Sequence, residues 1–508
     1  MPRSSEMCYI QDLLKPCKNL ISPPSKSCFM ISPNFMKGIL AICIFSALFL
    51  VCFSAYNFHG LISRTSCPEC TRTFRLQVSS RETINQQSTN ISHILFGIGG
   101  SAETWSKRRG YCELWWRPKT HRGFVWLDQE PGEGAEPPWP KTSPPYRVSA
   151  DTSRFKYTCW YGSRSAVRIA RIVKESFELG LKNVRWFVMG DDDTVFFTEN
   201  LVKVLSKYDH NQMYYIGGNS ESVEQDLTHS YTMGYGGGGF AISYPLAAEL
   251  VRILDGCIDR YADFYGSDQK IGACMSEIGV PLTKELGFHQ IDIQGSPYGL
   301  LSAHPLAPLV SLHHLDYVQP LFPGRSRIDS VKRLVKAYKS DPARALQHSF
   351  YHDLSRNWSV SVSWGYTVQL YPFLVTGKDL STPLQTFLTW RSWSQEPFTF
   401  NTRVMSLDPC ERPVIFYFDG VKDAGKGKTW TWYKRNPYMR RRRCEREDYA
   451  AAYLVKGFNV SAAVLDPQLW NKAPRRQCCE VMNGSDDVDG VLKIRIRSCN
   501  HWESVTPP

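Results

Sequence analysis

The densest chemistry in this chain of 508 residues is Asp191-Asp192-Asp193. Three adjacent carboxylates repel one another, so such a group needs a cation or open solvent to relieve it. They follow Val184–Met189, a short apolar run that reads as a strand. In open α/β sheets ligands gather beyond the carboxyl ends of strands, where this cluster falls. Carboxylates with few other donors suit a hard ion, Mn2+ or Mg2+, that keeps positions free for phosphate oxygens. The plainer alternative is a solvated acidic turn before a helix capped by Thr198. Three further groups lie downstream. Tyr235 is followed by four glycines and Phe240, a stretch that lets backbone approach a ligand closely. Asp268 opens an amphipathic helix (Ile271, Met275, Ile278) that stops at Gly279, and the helix dipole favours its ionised form there. Ser311-Leu312-His313-His314 sets two imidazoles after the last of these segments.

Positioning these residues requires a sheet. Ile94–Ile98 reads as a buried strand running into Gly99-Gly100, and Phe124–Asp128 as a second, with a Gly/Pro-rich loop over 130–145. From Ser165, Ala166, Ile169, Ala170, Val173 and Phe177 share one helical face until Gly180. Strand, helix and strand in this order predict a parallel α/β sheet. Past Pro323 the spacing predicts a helix over 330–345, then strands within 358–375 and 413–418. With Cys410, Cys444, Cys478, Cys479 and Cys499, this part is expected to be a β-rich, disulfide-bonded accessory region.

Composition bounds the rest. Hydrophobic residues are 43% and charged residues 21%, which excludes a largely disordered chain. Ile39–Phe53 is apolar except for Ser46 and, with its neighbours over 38–56, reaches the ~20 residues a membrane helix needs. Arg3, Lys15, Lys18, Lys26 and Lys37 precede it against Glu6 and Asp12, which keeps the leader cytosolic and makes the run a signal anchor. Everything after it then faces the lumen, and four Asn-x-Ser sequons, at Asn90, Asn357, Asn459 and Asn483, fit that side. Eleven cysteines would meet the oxidising lumen, an odd count that leaves at least one unpaired. Cys67-Pro-Glu-Cys70 reads as a disulfide of the stem or as a link between two stems, giving a homodimer. The net charge of +12 and the run Arg440–Arg443 would suggest nucleic acid, but behind a membrane anchor that partner is excluded.

In order and spacing, the motifs resemble the fringe-type glycosyltransferases, a β-1,3-glycosyltransferase group with a GT-A (Rossmann-like) α/β fold, closest to the plant fringe-related proteins. The matches are Trp186–Thr194, Gly236–Phe240, Ser267–Gly272, Phe288-His289 and Ser311–His313. The resemblance implies a cytosolic tail (1–37), an anchor (38–56), a stem (57–90), a catalytic domain (91–323) and the accessory region (324–508), held in the Golgi membrane. It implies transfer of a hexose or N-acetylhexosamine from a UDP-sugar to a glycan or glycoprotein hydroxyl, with inversion. Asp193, with Asp191 and His313, would hold Mn2+ or Mg2+; Asp192, and less strongly Asp128 and Gly99, would contact the nucleotide. Gly236, Gly237, Gly239 and Phe240 would line the substrate, and Asp268 would be the general base. One departure is Ser267, where the family carries a second acid, so acceptor preference does not transfer. Two rival readings are a non-catalytic fringe-like lectin and a phosphohydrolase built on Asp191 and Asp193; the latter lacks its downstream lysine.

Overall fold

The computed structural model describes residues 46–47, 88–132, 139–435, 443–482 and 490–506. Residues 87–508 form one compact unit and residues 1–86 another. Except for residues 46 and 47, the anchor expected over 38–56 lies outside the described residues, as do Cys67, Cys70, Asn483 and Arg440–Arg442. Among the described residues no helix is long and apolar enough to cross a membrane.

The chain enters through β1 (Ile94–Gly99), then α1 (Trp105–Trp115), β2 (Arg122–Leu127) and β3 (Tyr146–Val148). Next come α2 (Ser165–Glu178), β4 (Trp186–Asp191), the short β5 (Val195–Phe196), α3 (Thr198–Leu205) and β6 (Tyr215–Gly217). After α4 (Val223–Thr228) follow β7 (Phe240–Ser243), α5 (Tyr244–Arg260), α6 (Ser267–Ile278), β8 (Leu282–Lys284) and β9 (Phe288–His289). β10 (Ile293–Gly295), α7 (Tyr298–Ser302) and β11 (Ser311–Leu312) complete this half. β1 and the first five residues of β4 are fully buried because they are central strands with both faces covered, which is why they read as unbroken apolar runs.

The main sheet runs β3-β2-β1-β4-β7-β6-β8. β3, β2, β1 and β4 are parallel, as the strand-helix-strand spacing predicts, but β7 runs antiparallel between β4 and β6. The expected all-parallel sheet is therefore a mixed one. β7 is reached from β6 through α4 and the glycine run, and it inserts antiparallel to both β4 and β6. α2, α5 and α6 share a core of Val173, Leu250, Leu254 and Met275, and Cys257–Cys274 ties α5 to α6. α2 is followed by Gly180 at φ 59°, and α6 ends on Gly279 at φ 86°, the left-handed geometry glycine tolerates. Thr198 differs from expectation. It is the first helical residue of α3, behind Phe197 as cap, and its hydroxyl donates to Glu199. The entry is fixed instead by Phe197 N–H donating to Val310 O at 2.8 Å.

The later half opens with α8 (Arg327–Ser340), β12 (His348–Asp353), β13 (Trp358–Ser363), β14 (Thr367–Tyr371) and α9 (Gly377–Ser381). β15 (Leu384–Gln385), β16 (Phe387–Thr389) and β17 (Arg403–Val404) make small ladders, β16 pairing with β10. β18 (Val414–Gly425), β19 (Lys428–Arg435), α10 (Glu447–Leu454), β20 (Gly457–Ala463), β21 (Cys478–Val481) and β22 (Val491–Arg497) follow. The eight-stranded sheet runs β12-β13-β14-β18-β19-β20-β22-β21 and is antiparallel except for β20 beside β22. Cys410–Cys444 and Cys478–Cys499 are bonded, while Cys112, Cys159 and Cys479 are buried free thiols. One apolar core holds Ile98 and Val188 of the first sheet together with Leu312, Leu334, Trp364, Phe416 and Ile494.

Candidate functional site

The aspartates sit where β4 leaves the sheet, with Asp191 paired to Gly99 across β1. A tight turn follows, closed by Thr194 N–H donating to Asp191 O at 3.0 Å. The Thr194 hydroxyl accepts from Asp191 N–H at 2.8 Å and donates to Gly237 O at 2.7 Å, so one side chain pins the acidic turn to the glycine run. α1 braces the turn from outside: Trp115 Nε1 donates to Thr194 O at 3.0 Å, and Cys112 Sγ to Asp192 O at 3.4 Å. The glycine run is held in turn by Gln290, which accepts from Gly238 N–H, and by Ser311, whose hydroxyl donates to Gly238 O.

Residues distant in sequence converge on this turn. His313 Nε2, just past β11, lies 3.0 Å from Asp193 Oδ1 and 3.8 Å from Asp191 Oδ2. Asp191, Asp193 and His313 each offer one ligand atom, all within 4.8 Å of one another. Asp193 Oδ1 and His313 Nδ1 are buried without a hydrogen-bond partner. Ligands at ~2.1 Å around a hard octahedral ion sit about 3 Å apart, so the separation and the free lone pair both fit a divalent cation. The ring of His313 lies against Gly237, where an added Cβ would fall 2.0 Å from Cε1. Glycine is required there by space, not by backbone angle.

The electrostatics are those of crowded acids. Asp191, about a third exposed, is pushed up to about 8 by burial of the rest of its carboxyl and by Asp193, Asp192 and Asp268. Asp192 is raised to about 6 by burial and by Asp193. Burial opposes ionisation of Asp193 as well, yet His313 and Arg108 together hold it well below the usual carboxylate range. Arg108 Nη1 lies 3.1 Å from Asp192 and 3.5 Å from Asp193, its Nε lies 3.9 Å from Asp316, and its side chain is 30% exposed.

Asp268 occupies the first turn of α6. Its Oδ2 accepts from Gly236 N–H at 3.1 Å and its Oδ1 from Gln269 N–H at 2.8 Å, leaving a lone pair on each oxygen. Asp191, Gly236, Ser267, Asp268 and Phe240 line one narrow cavity, which brings Asp268 opposite the acidic turn. The other expected residues divide. Gly99 and Gly100 back the turn, their Cβ positions 3.3 Å from Asp191 Oδ1 and 3.5 Å from Asp192 Oδ2. Asp128 accepts from Ala102 N–H at 2.8 Å and from Ser101, fastening the loop before α1. Asp192 is 2% exposed, with its oxygens facing Arg108 and Thr104. Gly239 takes φ 86° against Phe196, and the Phe240 ring is buried beside Tyr215. His289 belongs to a buried network with Glu221 and His304, and His314 bonds Asp292 and stacks on Trp390 with centroids 4.6 Å apart.

Arg108, Thr104 and the bracing residues of α1 escape the sequence reading. Their signal was the spacing Trp105, Arg108, Cys112, Trp115, one helical face in a stretch whose three cations resemble a solvated surface. Trp390, brought to the site by β16, carries no local signal.

The fold and the site together define an α/β protein with an acid-and-histidine cluster at a strand terminus. Residues 225–479, half of the chain, match the family described as "Protein of unknown function, DUF604", and the chain belongs to it. It is also similar to a mouse beta-1,3-glucosyltransferase, 31% identical over 139 residues, which is 27% of each protein. A human beta-1,3-glucosyltransferase is 32% identical over 106 residues, 21% of this chain and 20% of that one. The chain thus spans about a quarter of the length of the curated relatives it matches. Among solved structures, the catalytic domain of Drosophila beta1,4galactosyltransferase 7 in complex with xylobiose gives a TM-score of 0.22 at 10% identity, over 38% of this chain and 64% of that one. A glycosyltransferase involved in glycosylation of the major capsid of PBCV-1 gives 0.25 at 12%, over 47% and 96%.

Proposed function

We propose that this protein is a metal-dependent inverting glycosyltransferase of GT-A type that moves a hexose or N-acetylhexosamine from a UDP-sugar to a hydroxyl of a glycan or glycoprotein. The observation that carries the reading is the Asp191–Asp193–His313 cluster, whose Asp191 lines one cavity with Asp268. The partial likeness to the mouse and human beta-1,3-glucosyltransferases supports a β-1,3 linkage. The fringe-type motifs point the same way.

A divalent cation, Mn2+ or Mg2+, held by Asp191, Asp193 and His313 would neutralise the diphosphate of the leaving group. Arg108 adds a guanidinium beside the same acids, suited to a diphosphate oxygen as charge develops there. Asp268 receives the proton of the acceptor hydroxyl. The hydroxyl oxygen then bonds to the anomeric carbon as the bond from that carbon to the diphosphate breaks on the opposite face. One displacement inverts an α-linked donor to a β product, with no covalent enzyme intermediate. The two N–H groups on Asp268 fix its orientation, since they come from the helix terminus and the glycine run. The apolar run over 38–56 supports a type II anchor in the Golgi membrane with this site lumenal, and Cys67 and Cys70 support a stem that links two copies.

Purified protein with Mn2+ is expected to release UDP slowly from a preferred UDP-sugar without acceptor, and faster with one. Asp268→Asn is expected to lower transfer by about 100-fold or more, the scale of general-base catalysis, while UDP binding by calorimetry stays unchanged. Transfer that survives in Asp268→Asn would falsify the base assignment. Nucleotide binding without turnover of any donor would make the protein a lectin instead.

A further inference from the structure

Away from this site, the ends of β19, β20 and β22 and the segment 472–477 enclose a second cavity of about 570 Å3. That size is in the range of small-ligand sites, which are commonly 300–1,000 Å3. Seven cations line its wall: Arg344, Lys428, Lys472, Arg475, Arg476, Arg495 and Arg497, of which Arg344 is paired with Asp341. Arg495 and Arg497 are answered by Glu480 and Glu503. Among the described residues, the other four meet no carboxylate within ion-pair distance. Asp466 is the one acid lining the cavity.

Arg476 is the most telling of the four. Its Nη1 donates to His348 O at 2.8 Å and its guanidinium lies 5.3 Å from the Phe350 ring centroid, so the group is desolvated without a countercharge. Burial accordingly lowers its pKa. Arg475 likewise has a carbonyl partner, Glu503 O, and keeps its remaining donors. Two guanidiniums consecutive in sequence, each with donors left over after one carbonyl contact, and two ammonium groups on the same lining suit an anion. Ala462, Leu465 and Leu469 add aliphatic surface to the same lining, and among the described residues no aromatic side chain lines the cavity. Nucleobases are held by aromatic stacking, which this wall cannot supply. A lining that mixes aliphatic surface with cations suits a ligand with C–H faces and several acidic groups.

We infer that this cavity binds an acidic oligosaccharide through Arg475, Arg476, Lys428 and Lys472, independently of the donor site. Carboxylated and sulfated sugars share the required chemistry. The full chain in detergent would be titrated by calorimetry with tetragalacturonate, a sulfated glucose tetramer, neutral maltotetraose and inorganic phosphate. At least one acidic tetramer is expected to bind ten or more times tighter than maltotetraose and phosphate, and which one it is identifies the acidic group. Arg476→Gln and Lys472→Ala are each expected to weaken that binding at least fivefold. Lys472 is exposed and its side chain meets no ion-pair or hydrogen-bond partner among the described residues, so its removal leaves the fold intact even if Arg476→Gln does not. Added salt weakens the interaction as it screens the cations. Equal affinity for maltotetraose, phosphate binding as tight as the tetramers, no binding, or affinity unmoved by Lys472→Ala would each overturn the inference.

Discussion

At the scale of single residues, space and charge around His313 set the site. An added Cβ at Gly237 meets the imidazole at 2.0 Å, whereas at Gly236 the nearest atom is Asp268 Cβ at 3.5 Å, ordinary contact. Gly237→Ala must therefore displace His313, at about 1–3 kcal/mol of overpacking. Mn2+ affinity is expected to fall ten- to a hundredfold, as when a ligand's support is lost. Gly236→Ala should leave both nearly unchanged; thermal melts and Mn2+ titration of the two variants make the comparison. The acids add a pH dependence. With folded values of about 8 for Asp191 and about 6 for Asp192, against about 4 for an unfolded aspartate, the metal-free protein binds more protons folded than unfolded. The stability this confers is complete below about pH 4 and is lost as pH rises through about 6 and then about 8. Asp193, held low, is ionised in both states above about pH 5 and does not alter the trend from there to pH 8. Melting in EDTA should thus weaken from pH 5 to pH 8 relative to melting in Mn2+. A Tm difference between the two that shrinks with pH would contradict the assignment of these groups.

At the scale of elements, the site depends on how α6 is held. Cys257–Cys274 joins it to α5 with a sequence separation of 17. Removing a crosslink that closes such a loop costs about 3 kcal/mol on chain entropy. The double variant Cys257→Ala/Cys274→Ala is expected to lose about that much in denaturant unfolding. It should also lower kcat more than donor binding, because Asp268 moves with α6 while the acids do not. β1, β2 and β4 were legible in the sequence because central strands are rich in apolar residues, as β1 and β4 are throughout, whereas the short strands of this half carried no such run. α2 and α6 were legible because each presents one apolar face and stops at a left-handed glycine. The reversed β7 was not, since a four-residue buried strand looks the same in either direction. α1 was not, since its buried face includes Arg108, whose partners are Asp192 and Asp193, about 85 residues away in sequence. The approach of Asp191, Asp193 and His313 was legible only through motif order, and the stacking of Trp390 on His314 not at all.

At the scale of the whole molecule, the two halves are one folding unit. A boundary at Pro323 would suggest that residues 91–323 stand alone. Yet Ile98 and Val188 share a core with Trp364, Phe416 and Ile494. The contacts crossing the boundary are specific as well. Tyr366 Oη donates to Leu321 O at 3.1 Å, Thr399 N–H to Glu221 O at 3.1 Å, and the Thr399 hydroxyl to Ser220 O at 2.9 Å. Arg391 N–H donates to Glu224 at 2.8 Å, and Trp390 covers His314, the neighbour of the proposed ligand His313. Uncovering even five large apolar side chains forfeits about 7–15 kcal/mol at 1.5–3 kcal/mol each, as much as the 5–15 kcal/mol that stabilises an ordinary domain. A chain ending at residue 323 is therefore expected to collapse without cooperative packing. It should keep far-UV dichroism but lose near-UV dichroism, bind ANS, and show no sharp melt. Mn2+ binding should be lost with the packing, since His313, just past β11, lies only ten residues from that end. A cooperative melt together with Mn2+ affinity matching the full chain would show instead that the later sheet is an appendage. The wall it places against the site would then be dispensable.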